Sequence, residues 1–132
     1  RNNGRRRHRA GRGPGVGGLA TVFGAGGGTN ADREGEEPDV VFLWGSNAGA
    51  AHPIWFHHLL KGIHRGTRLY VMDPRRTESA QWADVWLGLE VGSDVALSHT
   101  MAREIIHAGL THREFIANGT SGFEAYAAVV EH

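Results

Sequence analysis

The sequence predicts an α/β domain built on a mainly parallel sheet. Three observations carry that expectation: short apolar runs at 40–44, 68–72 and 84–89, a polar turn with glycine or proline after each, and helical apolar spacing between them. Strand–helix–strand order makes parallel pairing through right-handed crossovers the expected topology, in a Rossmann-like three-layer arrangement. At 132 residues the chain reads as one folded domain, 14–132, preceded by a basic arm, 1–13.

The arm, RNNGRRRHRAGRG, holds no large apolar residue and is expected to be unstructured. Six of the 14 arginines and lysines stand in it, ahead of every acidic residue. The net charge of +0 therefore divides into a basic arm and a remainder with eight basic and 14 acidic residues, about −6. The arm reads either as a nucleic-acid or phosphate binder or as a solvated tail. No aromatic side chain stands between its arginines to stack on bases, so the tail is preferred and nucleic acid is not an expected partner.

Val16, Leu19, Ala20, Val22 and Phe23 then make up to two helical turns among glycines. The following GAGGG resembles half of a dinucleotide fingerprint. It departs from the template because Thr29 takes the third glycine position and no strand precedes it, so a loop is expected. Asp32 to Glu37 reads as an acidic surface connection.

Val40 to Trp44 is a continuous apolar run, the pattern of a strand covered on both faces. Gly45, Ser46 and Asn47 follow, then Ala48, Gly49, Ala50 and Ala51, so backbone amides meet a ligand without bulky side chains in the way. His52 belongs to this ligand-facing turn. A helix opens at Pro53, with Phe56, Leu59, Leu60 and Ile63 forming a stripe for packing on a sheet, and Gly66 ends it. Arg68 to Met72 is the second strand. At its end Asp73, Pro74 and Arg75 offer a carboxylate that can accept from guanine or ribose and a guanidinium that can grip phosphate; the alternative is an Asp–Arg pair capping a turn. A short helix over 77–83 and a third strand over 84–89 lead to Gly92, Ser93 and Asp94. Ser93 or Asp94 should cap the next helix, which carries Leu97, Met101 and Ile105 on one face. Two final helices are expected behind capping boxes at Thr111–Glu114 and Ser121–Glu124, the last burying Phe123, Tyr126, Ala127 and Val130.

Several chemistries are excluded. Without cysteine the chain carries no disulfide, thiolate zinc site or iron–sulfur cluster of its own. The histidines show no i, i+4 pair, so no metal ligand is assigned. No GxSxG, Walker lysine or paired acid–base carboxylates appear, and no catalytic residue is assigned. No apolar run nears the ~20 residues of a membrane span, and the amino terminus lacks a signal-peptide core, so a soluble, cytoplasmic protein is expected.

Three motifs, LWGSNAGAAHP, VMDPRRTESAQWAD and VGSDVAL, each follow a strand in the order and spacing of one family. Together they resemble the molybdopterin oxidoreductase superfamily, and the sequence from about Gly13 to Glu131 is most similar to the catalytic (alpha) subunit of formate dehydrogenases. The resemblance implies a bis(molybdopterin guanine dinucleotide) cofactor with molybdenum or tungsten, formate or a similar small substrate, and electron-transfer subunits as partners. Carried over by position, it assigns cofactor contacts to Gly45, Ser46, Asn47 and His52, to Asp73, Pro74 and Arg75, and to Gly92, Ser93 and Asp94. It also implies that an iron–sulfur cluster belongs to the missing remainder of the subunit, and that the chain is a fragment. The family's metal-ligand and catalytic histidine positions fall on Gly11 and Arg12. Glycine has no ligand atom and arginine stays protonated, so the fragment is expected to be inactive alone, with residues 1 to about 12 read from a shifted frame or damaged gene end. The alternative is a Rossmann-like nucleotide-binding domain whose basic arm contacts nucleic acid; a plain NAD enzyme fits less well, because the glycine fingerprint is incomplete.

Overall fold

A computed structural model describes the backbone of residues 3–26 and 31–131, with side chains from 13 to 26 and from 31 to 131. The glycine-rich loop expected around Gly27, Gly28 and Thr29 lies outside the described residues. Three strands, β1 (Val40–Trp44), β2 (Arg68–Met72) and β3 (Val85–Leu87), form a sheet of order β1-β2-β3. Both pairings are parallel, with Val40 opposite Arg68, Trp44 opposite Met72, and Tyr70 opposite Val85. The α/β class and parallel sheet are as the sequence predicts.

Helices α1 (Asn3–Phe23), α2 (Ala48–Ala51) and α3 (Pro53–Arg65) precede β2, and α4 (Asp94–His107), α5 (Arg113–Gly119) and α6 (Phe123–Val130) follow β3. α3 is the crossover. It starts on Pro53 and ends on left-handed Gly66, as expected. Phe56 and Leu59 are buried against Leu43, Leu69 and Val71, with Leu60, Ile63 and Val41 partly buried around them. Asp84 precedes β3 and does the work of a strand partner: its Oδ2 accepts from Leu69 N at 2.8 Å and its Oδ1 from Arg68 Nη1 at 3.0 Å. The Leu69 amide, ahead of Arg68, holds its pKa below the ordinary value. β3 is accordingly shorter than the 84–89 expected.

Coverage differs from expectation. Residues 41, 43, 69 and 71 face α3, whereas Val40 and Phe42 on the other face are 47% and 49% exposed, joined by exposed Val85 and Leu87. This second face is open at Val40 and Phe42, where the Phe42 and Tyr70 rings lie tilted at 5.3 Å between centres, and closed at the carboxyl end of β2, where Met72 is 1% exposed. α4 buries no residue; Leu97 and Met101 are half-buried and Ile105 is exposed. In α6 Val130 is buried, Phe123 and Ala127 are half-buried, and Tyr126 is exposed beside His99.

The backbone from Asn3 to Phe23 runs as one helix, α1, through Pro14. Helix caps differ from expectation. α5 is capped by His112, whose Nδ1 accepts from Phe115 N at 2.9 Å, and α6 starts from left-handed Gly122, so neither Thr111 nor Ser121 acts as expected. At the start of α4 the Ser93 hydroxyl donates back to Glu90 O, and the Asp94 carboxylate is engaged elsewhere.

Asp32–Glu36 is a surface connection as expected, with Asp32, Arg33 and Glu34 exposed, but it is wound into a 3-10 turn that packs Gly35 and Glu36 on α3. Gly35 is buried, and a Cβ on Gly62 of α3 would stand 2.9 Å from the Gly35 carbonyl oxygen, so the approach requires glycine. Glu36, 10% exposed, meets three basic groups of α3: His58 Nδ1 at 2.6 Å, Lys61 Nζ at 3.1 Å and Arg65 Nη1 at 3.2 Å. An ionised carboxylate only accepts, so His58 carries a proton on Nδ1. The hydrogen bond from His58, then that from Lys61, lowers the Glu36 pKa from 4.5 to about 2. A depressed carboxylate stabilises the fold above its unfolded value and loses that contribution as pH falls. Urea midpoints should therefore fall as pH drops from 4.5 towards about 2. In Glu36→Gln this part of the acid dependence should flatten; an unchanged slope would remove Glu36 from the cause.

Candidate functional site

Parallel strands put their carboxyl ends on one side, and the three polar turns all start there. After β1 the chain must reverse within a few residues. Gly45 adopts φ +58°, a conformation open to glycine, while its N–H donates to Met72 O at 2.8 Å and extends the β1–β2 ladder. Asn47 then opens α2, its carbonyl accepting from Ala50 N and Ala51 N. No acceptor among the described residues takes the Ser46 and Asn47 amides.

The second turn follows β2. Asp73 is buried; its N–H donates to Leu87 O at 3.2 Å, and its carbonyl accepts from Trp86 Nε1 at 3.0 Å. Its Oδ1 accepts from Arg75 N at 2.8 Å, so the turn-capping reading is correct for one carboxylate oxygen. The other oxygen has no hydrogen-bond partner among the described residues. Pro74, Arg75 and Arg76 are exposed, and the Arg76 guanidinium lies 5.9 Å from the centre of the Trp86 ring. No carboxylate among the described residues pairs with Arg75, which leaves its guanidinium for an anion.

The third turn is tied to the first strand: Trp44 Nε1 donates to Asp94 Oδ1 at 2.7 Å. Gly92, at φ +95°, and Ser93 shape this turn, Ser93 bonding back to Glu90 through both its N–H and its hydroxyl. Hydrogen bonds thus join the end of β1 to the starts of the second and third turns, placing Gly45, Asn47, Asp73 and Asp94 at one sheet edge. His52 stands apart. It is exposed at the junction of α2 and α3 and lines a hollow of about 270 Å³ with Asp32, Pro53, Ile54 and Trp55, none of which belongs to the later turns.

Four contributing residues carry no site role in the sequence reading: Trp44, Thr77 and Ser79, which lie inside the quoted motifs, and Trp86, which lies outside them. The two tryptophans place ring N–H groups on the second and third turns; Trp44 stands inside the first motif, whereas Trp86 has only its place in β3 as a signal. Ser79 is buried and joins the second turn's 3-10 segment to the first turn. Thr77 is 9% exposed, and its Oγ1 is buried without a hydrogen-bond partner. A hydroxyl orphaned behind a ligand-facing turn is what remains when a polar partner is absent. With free amides for phosphate, a guanidinium, and carboxylate oxygens for a base or ribose, the donor set fits a nucleotide-bearing cofactor. Among the described residues no group of three or more metal-ligating side chains assembles, and no helix is long and apolar enough to cross a membrane. The positions of Gly11 and Arg12 fall in α1, and their side chains lie outside those described.

The family described as Molybdopterin oxidoreductase matches residues 19–126. Formate dehydrogenase H of Escherichia coli (strain K12) is 39% identical over 119 residues, covering 90% of this chain and 17% of that protein. A nitrate reductase of Synechocystis sp. is 38% identical over 99 residues, covering 74% of this chain and 14% of that protein. The solved acetylene hydratase from Pelobacter acetylenicus superimposes with a TM-score of 0.63 at 35% identity, over 70% of this chain and 13% of that chain. The chain thus spans about 17% of the length of its formate dehydrogenase relatives.

The unpartnered Thr77 hydroxyl gives a direct test. Thr77→Val keeps the shape and removes the orphan, and should leave the unfolding free energy unchanged or raise it by up to about 1 kcal/mol in urea titrations. A loss above about 2 kcal/mol would mean that the hydroxyl has a partner in the ligand-free chain.

Proposed function

The chain belongs to the molybdopterin oxidoreductase family, and on that premise we propose that it is the guanine-dinucleotide-binding part of a catalytic subunit resembling formate dehydrogenase, without turnover of its own. The observation that carries this reading is the convergence of three polar turns on one edge of a parallel sheet, cross-linked by Gly45 to Met72, Asp73 to Leu87 and Trp44 to Asp94. Family membership implies a molybdopterin cofactor with molybdenum or tungsten; the bis(molybdopterin guanine dinucleotide) form is our assignment, as are the residue roles.

In this assignment the Ser46 and Asn47 amides and the Arg75 guanidinium take phosphate oxygens, and the second oxygen of Asp73, with Asp94, accepts from guanine or ribose. Gly45 and Gly92 keep side chains out of the approach, and Pro74 ends β2 beside Asp73. Ser93 completes the rim of the third turn, while a contact from His52 would have to come from the separate hollow beside α3. When bound, the metal on its pterin supplies two-electron redox chemistry, which for formate yields carbon dioxide and a proton with both electrons passed to an acceptor. The residues of this chain bind and orient; none of those at the edge is placed to take a proton. Gly11 and Arg12, at the positions where the family resemblance sets a metal ligand and a base, offer neither, which supports the absence of independent turnover. Formate is preferred as the parent substrate on the formate dehydrogenase likeness, the nitrate reductase and acetylene hydratase likenesses marking other outcomes. The iron–sulfur cluster, electron-transfer subunits and a cytoplasmic location belong to the same proposal.

Calorimetric titration of the full chain tests it. GDP should bind with Kd below about 1 mM and ADP at least about tenfold more weakly, since the buried acceptor at Asp73 pairs with guanine donors that adenine lacks. Asp73→Asn keeps the Arg75 cap and should abolish the preference for guanine. With formate and an artificial electron acceptor the chain should show no turnover. Equal binding of GDP and ADP would overturn the assignment of the nucleotide, and formate-dependent dye reduction would overturn the assignment of inactivity.

A further inference from the structure

Ser79 is 0% exposed and lies on the 3-10 turn Ser79–Trp82, far along the chain from the first polar turn. Its Oγ accepts from Gly49 N at 2.9 Å and donates to Asn47 Oδ1 at 3.2 Å. A hydroxyl has one proton. The Gly49 amide can only donate, and the buried hydroxyl has no other acceptor among the described residues, so its proton is satisfied by Asn47 when the carboxamide oxygen faces it. This bond settles the orientation of the carboxamide, which is otherwise free to exchange its oxygen and nitrogen positions. The group Asn47 retains for a ligand is then Nδ2, a donor of two hydrogen bonds with no partner among the described residues, on a half-exposed side chain.

We propose that Ser79 is a positioning residue of the first turn: anchored by the Gly49 amide, it holds Asn47 as a donor towards the nucleotide. The inference rests on the nucleotide-binding reading of this edge. Ser79 adds a polar tie to the packing of Ala48 in the core, and Gly49 admits Ser79, a Cβ there standing 3.3 Å from Ser79 Oγ. It also assigns a polarity to Asn47, which suits phosphate or carbonyl oxygens and rejects donors.

The test is a double-mutant cycle on the full chain, read by GDP titration with thermal melts as the folding control. Ser79→Ala and Asn47→Ala should each weaken GDP binding about fivefold, the scale of one neutral hydrogen bond. The double variant should bind no more weakly than Asn47→Ala alone, since Ser79 acts through Asn47. In nitrogen-15 spectra the Asn47 side-chain NH₂ signals should move on adding GDP to the wild type and move less in Ser79→Ala. If Ser79→Ala does not fold, Ser79→Cys, which nearly keeps the volume and gives up the strong hydroxyl bonds, carries the same expectation. A Ser79 variant that binds GDP as the wild type does, or losses that add in full, would overturn this inference alone. A wild-type chain that takes up no GDP would overturn the nucleotide reading and this inference with it.

Discussion

The structure depends on the parallel pairing of β1 with β2. Two parallel neighbours cannot be joined by a tight turn, so the chain must return across the sheet, and α3 is that return. Its apolar stripe then has a single place to go, onto Leu43, Leu69 and Val71, and that contact makes the core. The same constraint aligns the strand ends. Once β3 joins β2 in the same direction, the turns after all three strands open on one edge, and a site assembles without any residue having been placed there individually.

How much of this is legible in the sequence depends on the range of the interaction. β1, β2 and α3 are readable to the residue, because Val40–Trp44, Arg68–Met72 and Pro53–Gly66 carry their own periodicity and punctuation. Caps are less so. Thr111 and Ser121 have the right chemistry, yet His112 and Gly122 start the helices, because a cap is decided by where the incoming chain lies. Burial is the least local property: an unbroken apolar run predicts two covered faces, while Val40 and Phe42 remain exposed among the residues described. The acidic stretch at 32–37 shows the same limit. Charge density suggested solvent, but three basic groups at i, i+3 and i+7 of α3 give Glu36 a partly enclosed place.

At the site, glycine and proline mark the turns and their order, and Asp73 and Arg75 declare themselves by position. What stays hidden is the set of ties between turns. Ser79 and Asn47 stand 32 residues apart, and Trp44 and Asp94 are 50 apart. No spacing rule links such pairs; only a folded sheet edge does. Asp73 is instructive because capping the turn occupies one carboxylate oxygen only, so the cap and the proposed ligand contact do not compete for the same atom.

The approach of α3 to the turn at Asp32–Glu36 has an evolutionary consequence. Glu36 has three basic partners, so drift at Lys61 or Arg65 is cushioned by those that remain, and both side chains lie largely in solvent. Gly62 has no such redundancy. Any side chain there meets the Gly35 carbonyl and the Thr67 hydroxyl, both at 2.9 Å, and must push the turn off the helix. Two adjacent positions, 61 and 62, thus sit at opposite ends of mutational tolerance, the charged one free to vary and the featureless one held fixed.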